Sequence, residues 1–394
     1  MSNVTLRDFV CEYVNPIYID NSNMKIVYIV QMPFGIIGML CASLLTLSVF
    51  FNKILHFNVR LTLMSFSIAL LIANVGEYFN CIVLSSAYHL LSIFYRSPAN
   101  RCQWLTYMKS DCLALRNVYN VGVTVLLTST LFLSIERIIA TLLYRTYEKH
   151  QKQWIGILIA VIQWTFTLPI FYWENRDNGM ILPYCAIELY DPALSKSIEY
   201  VQIVIQCCAI IIFVVLWCHN HNRTVEQCPN ENVLSIRYQI RENIATTKLM
   251  APVVLLNALF MASITLLYVI LLPDNEFYSH IDDYMRKVVQ YSLFAEMQYS
   301  ILPLFTVVLI YSMGHFNAHL RQSLVHLLGI DRCVSKHFNV VDVTPEERVR
   351  QLYFDQLEHQ WNHPVRNPAT PPHSQCQQQS CKKSERASVY TARN

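Results

Sequence analysis

The sequence predicts an all-α membrane protein, a bundle of seven transmembrane helices, and three observations carry that expectation. Seven apolar runs of about 20 residues, each long enough to cross a bilayer, punctuate the 394 residues. Only 14% of the residues are charged and 54% are hydrophobic, whereas soluble domains carry about 25% charged residues. In the third run Arg137 follows Cys112 by 25 residues. That is roughly 37 Å of helix, which puts the two at opposite faces of a bilayer about 40 Å thick. The net charge of +3 is too small to argue for a nucleic-acid partner.

Taken in order, residues 1–25 are polar and lack the apolar stretch of a cleaved signal peptide. They carry the glycosylation sequon Asn3-Val4-Thr5 and are expected outside the cell. Spans are expected at 26–51, 61–84, 118–143, 154–173, 198–218, 249–272 and 288–313. The first, fifth and sixth are nearly free of charge, while the second holds Glu77 and the seventh Glu296. Lysine and arginine do not orient the bundle, with nine in the inner loops and ten in the outer segments. A second sequon, Asn222-Arg223-Thr224, would be used only in the inverted topology. The spacing of Cys112 and Arg137 breaks the tie toward an outside N-terminus.

Of the 13 cysteines, Cys41, Cys81, Cys207 and Cys208 fall in or near spans and read as small apolar packing residues. Cys11, Cys102, Cys112 and Cys185 lie in segments placed outside, where disulfides persist. A Cys112–Cys185 bond would tie the outer loop over the bundle mouth; whether Cys11 pairs with Cys102 stays open. Cys218-His219-Asn220-His221 with Cys228 fits no zinc spacing, and no metal or other cofactor is expected.

After the last span, residues 314–330 carry Phe316, Leu320, Leu324 and Leu327 at helical spacing. A helix lying on the lipid of the inner face is expected, with Cys333 either a palmitate site or a plain thiol. In the cytoplasmic tail, 331–394, Thr344-Pro345-Glu346-Glu347 is a capping box that opens an expected helix over 345–362. From His363 onward the composition cannot build a core, so this part of the tail is expected to be disordered.

The runs ERIIATLLYRTYE (136–148) and LSIRYQIRENI (234–244) resemble nematode serpentine chemoreceptors of the Sra superfamily, most closely the alpha/beta class, Srab. HFNVRL (56–61) and IYSMGHFNAHLR (310–321) extend the likeness over the whole bundle. The resemblance implies a G-protein-coupled receptor of chemosensory neurons, at the plasma membrane and in sensory cilia, whose partners are a small-molecule or pheromone-like ligand and a heterotrimeric G protein. Oligomers, of like or unlike chains, are left open. Several details depart from rhodopsin-class receptors: Glu136 precedes Arg137 and Ile138 follows it, and the seventh span reads Leu302-Pro303.

On that resemblance Arg137 is a latch, held by an acid and released to meet the G protein; without it, interfacial anchoring is the bland reading. Glu136, though adjacent, is expected to point elsewhere on the helix. Arg237, Arg241, Glu242 and Asn243 form a polar run expected to extend the sixth helix toward a partner. Glu77 and Glu296 both fall in the outer third, where they would hold a cationic ligand group or bond neighbours such as Asn74 or Gln298. Tyr119 and Asn120 are candidate pocket walls, while outer acids such as Glu188 and Asp282 read as solvating loops. No enzyme motif is present. The alternatives to a receptor are an inverted seven-helix cation channel, which needs the opposite topology, and a transporter, which would show internal repeats.

Overall fold

Apolar length dictates the architecture. The computed structural model describes residues 3–52, 55–94, 102, 105–142, 153–174, 181–226, 234–273 and 281–329. Cys333 and the expected helix over 345–362 lie outside the described residues. Among the described residues, six helical segments are long and apolar enough to cross a membrane. They are Ser22–Phe51, Phe57–Phe94, Lys109–Leu142, Pro192–Glu226, Leu234–Leu271, and the pair Ile281–Tyr299 with Ile301–Phe316. The helix Gln153–Glu174 adds a shorter apolar stretch, Trp154–Thr167. In chain order these are the seven spans of a membrane bundle, with Gln153–Glu174 the fourth.

Outward faces are apolar, as lipid demands: Ile29, Leu40 and Ile211 are 68, 60 and 61% exposed. Polar side chains instead hold the spans together from inside. Gln163 of the fourth span donates to the Val125 carbonyl (3.2 Å) and to Ser129 Oγ (2.6 Å), and its Oε1 accepts from Ser65 (3.0 Å). One glutamine therefore ties the second, third and fourth spans. Gln206 of the fifth span donates to the Leu127 carbonyl (2.8 Å) and accepts from Thr130 (2.9 Å). Asn74 of the second donates to Thr306 of the seventh (3.0 Å).

The second and third spans meet backbone to backbone. A Cβ added at Gly76 would stand 2.7 Å from the Tyr119 Cα, and one added at Gly122 would stand 2.7 Å from the Ala73 Cα. Each glycine accepts the neighbouring helix where any side chain would push it away. Tyr119 and the residues below it are thereby fixed against the second span.

Four features differ from the expectation. The segment 1–25 contains a helix, Asn3–Val14, followed by a π-turn, Asn15–Ile19. Val10, Val14 and Ile17 recur at helical spacing and are fully buried against the bundle, which is why this polar segment packs. The seventh span breaks at Ser300, where Pro303 has no N–H to give the Tyr299 carbonyl four residues back. The helix Ala318–Leu327 begins after Asn317, whose side chain caps Leu320 N (2.8 Å); Leu320 and Leu324 are its buried contacts. Finally, Cys207 and Cys208 are exposed and Cys41 is half-buried, so of the four span cysteines only Cys81 packs inside. The inward stripe of the fifth span runs Gln202, Gln206, Ala209, Phe213, and Cys207 and Cys208 fall off it.

Candidate functional site

Two disulfides mark one end of the bundle. Cys112–Cys185 joins the head of the third span to the segment before the fifth, with Cα atoms 5.2 Å apart. Cys11–Cys102, 5.3 Å apart, ties the N-terminal helix to the segment after the second span. Tyr107–Met108 and Ile181–Leu182 pair as a short antiparallel ribbon, and every residue from Ile181 to Tyr190 is buried. The bridged segment is therefore a roof packed into the mouth. Tyr190 donates to the Tyr107 carbonyl (2.8 Å) and Tyr284 to the Leu189 carbonyl (2.7 Å), pinning it on both sides.

Beneath the roof lies an ion pair absent from the sequence expectations. Arg116, one helical turn below Cys112, contacts Glu296 of the seventh span at 2.6 Å, and both side chains are 2% exposed. Tyr184 of the roof donates to the same Glu296 oxygen (2.9 Å). Burial, reinforced by the Glu296 charge, pushes the Tyr184 phenol well above its ordinary range, which keeps it a donor. Gln31 of the first span donates to the Glu296 carbonyl (2.7 Å), beside the break at Ser300. The Arg116 guanidinium stacks 4.3 Å from the Tyr299 ring. Charge, roof and helix break thus converge on Glu296.

Beside this pair opens a cavity of about 120 Å³ between the third, fifth, sixth and seventh spans, under Glu188 of the roof. Tyr119 and Asn120 line it, as do Glu199, Gln202, Tyr268 and Tyr299. Space of this size admits several waters or a small organic molecule. Of the four residues expected to contact a ligand, Tyr119 and Asn120 line this cavity, while Glu77 and Glu296 do not. Glu296 is engaged by Arg116, and among the described residues neither it nor Glu77 bonds the neighbours suggested for them, Asn74 and Gln298. Glu77 is buried, and neither of its oxygens meets a hydrogen-bond partner. Glu188 is not a solvated loop acid: it is buried and accepts the Tyr291 hydroxyl (2.7 Å). A buried guanidinium cannot shed its charge and needs an acid, so Arg116 was the sequence signal that pointed to a carboxylate on a neighbouring span.

At the opposite end Arg137 forms two hydrogen bonds to Glu136, from Nε to Oε2 (2.5 Å) and from Nη2 to Oε1 (2.6 Å). The expectation that Glu136 points away is corrected: both long side chains curl back, and burial favours the paired arrangement. Glu136 is fully buried and Arg137 is 3% exposed. Asn243 of the sixth span donates to the Ala140 carbonyl (3.4 Å), one turn beyond Arg137. Arg237, Arg241 and Glu242 lie in the first turns of Leu234–Leu271, and their side chains are outside the described residues. Asn3 opens the N-terminal helix, and its side chain too lies outside them.

The sequence of residues 9–362 matches a family of known proteins, the serpentine-type seven-transmembrane receptors of class ab, described as chemoreceptors. A serpentine receptor class alpha/beta-14 from Caenorhabditis elegans is 27% identical over 299 residues, covering 73% of this chain and 72% of the relative. A probable G-protein coupled receptor from the same organism is 23% identical, covering 60% of this chain and 62% of the relative. A serpentine receptor class epsilon-21 is 25% identical over 34% of this chain and 35% of its own.

Proposed function

Since the chain belongs to the family of serpentine class ab seven-transmembrane chemoreceptors, we propose that it is a G-protein-coupled chemosensory receptor of the plasma membrane with its N-terminus outside. It binds a small molecule in the cavity under the bridged roof and activates a heterotrimeric G protein at the Arg137 end. The observation that carries this reading is the polarity of the bundle. A disulfide-roofed cavity lies at one end, and a buried arginine held by its own neighbour lies at the other. Disulfides belong to the outside and a charged latch to the inside.

In this reading the Glu136–Arg137 pair is the closed latch. Opening it exposes Arg137, together with the basic start of the sixth span at Arg237 and Arg241, to the G protein. Glu242 and Asn243 belong to the same coupling face, and Asn243 holds the sixth span against the third through Ala140. Such an element is bistable, because an arginine cannot shed its charge and must keep one partner or find another. The reading is tested by purified receptor in nanodiscs, assayed for nucleotide exchange on a panel of Gα subunits. Arg137→Ala should reach the surface and bind ligand yet drive no exchange; full exchange by this variant refutes the latch.

A further inference from the structure

We propose that the cavity beside Tyr119 selects small organic cations, with an ammonium group seated between Glu188 and Glu199 and a ligand N–H donated to Gln202. This takes from the receptor reading that the cavity is the ligand site, and adds the chemistry it selects. The cavity wall carries two carboxylates and, among the described residues, no lysine, arginine or histidine. Glu188 accepts the Tyr291 hydroxyl (2.7 Å) and Glu199 the Thr265 hydroxyl (2.9 Å). Among the described residues neither is in a salt bridge, and both line the one cavity. Arg116, a buried cation at this end, is committed to Glu296, and neither it nor the buried Lys109 lines the cavity.

Two carboxylates facing one cavity without a cation disfavour each other's ionised form, and a ligand cation relieves that cost. An anionic ligand would add a third negative charge. The independent observation is Gln202. It lines the cavity, is 5% exposed, and its side-chain oxygen meets no donor. A buried carbonyl oxygen without a donor is a fixed request for an N–H or O–H. The aromatic side chains in the wall, Tyr119 and Tyr268 among them, suit a cation better than they suit an anion. Charge, acceptor and rings all ask for the same ligand.

The test uses full-length receptor purified in detergent and probes matched in shape. The cations are 3,3-dimethylbutylamine and 2-phenylethylamine, both protonated and bearing N–H donors at neutral pH. The neutral isosteres are 3,3-dimethylbutanol and 2-phenylethanol, and the anion is phenylacetate. Ligand binding to the folded receptor raises the thermal transition, by an amount that grows with the logarithm of ligand concentration above Kd. The cations should raise it, and the neutral and anionic probes should not. Glu199→Gln, which keeps an acceptor for Thr265, should weaken cation binding by about tenfold or more. If that variant does not fold, the charge series on the unaltered receptor decides. No shift with any cation, equal shifts with the isosteres, or cation binding unchanged in Glu199→Gln overturns the proposal. Nucleotide exchange on the same samples separates the two readings. Neutral or anionic probes that bind and drive exchange overturn the cation site and leave the receptor standing. Cations whose binding needs Glu199 but which drive no exchange on any Gα uphold the site and remove the receptor reading.

Discussion

Neutralising Glu296 should destabilise the bundle by about 3–5 kcal/mol, because removing one partner of a buried ion pair leaves an uncompensated charge. Glu296→Gln preserves shape and can still accept the Tyr184 hydroxyl. It removes the only carboxylate in contact with the Arg116 guanidinium among the described residues, and that guanidinium is 2% exposed. Arg116→Met leaves a buried carboxylate instead, and a carboxylate escapes by taking a proton whereas an arginine cannot release one. The single losses should therefore be unequal, with Glu296→Gln the larger. Joining both substitutions removes both charges and should restore most of the stability, giving a coupling energy of about 2 kcal/mol or more. The assay is reversible unfolding in mixed micelles, followed by helical circular dichroism for all four proteins of the cycle. Additive losses, or a Glu296→Gln loss below about 1 kcal/mol, would refute a charge-paired lock between the third and seventh spans.

Gly122→Leu places a side chain where the Ala73 backbone stands; surface biotinylation should find this variant retained inside the cell, and normal surface levels would contradict the close approach. Cys112→Ser and Cys185→Ser should each lose surface delivery, and the double variant should be no worse than either, since all three remove one bond. Additive trafficking defects would argue that the two thiols act separately. Glu136→Gln loosens the grip on Arg137 and should raise ligand-independent nucleotide exchange several-fold, and a basal rate equal to that of the unaltered receptor would count against the latch.

Much of the fold was legible because membrane burial writes long, simple patterns. Apolar runs near the bilayer thickness locate spans whatever their neighbours do, and the Cys112–Arg137 spacing locates their ends. The Cys112–Cys185 bridge followed from that geometry. The interior polar contacts did not. Arg116 and Glu296 are separated by 180 residues, and no periodicity relates them. Gln163 and Gln206 sit in apolar runs as single polar residues, and nothing in their own span names the partner. Arg116 heads the third span, and nothing within that span names its partner on the seventh. Glu188 was missed differently: it lies in a loop by sequence, but Cys185 draws that loop into the mouth and buries it. The break at Ser300 was foreshadowed by Pro303, whose backbone effect is local. Tyr119 and Asn120, the candidate pocket walls of the third span, line the cavity.

The measurement that bears most directly on the whole account is glycan mapping of the protein expressed in cells, comparing Asn3→Gln with Asn222→Gln by mobility before and after glycosidase. The account predicts a glycan lost only in Asn3→Gln, which places the bridged roof and its cavity outside and Arg137 in the cytosol. A glycan lost only in Asn222→Gln would invert the bundle, deny Arg137 any G protein, and contradict the receptor reading at its root.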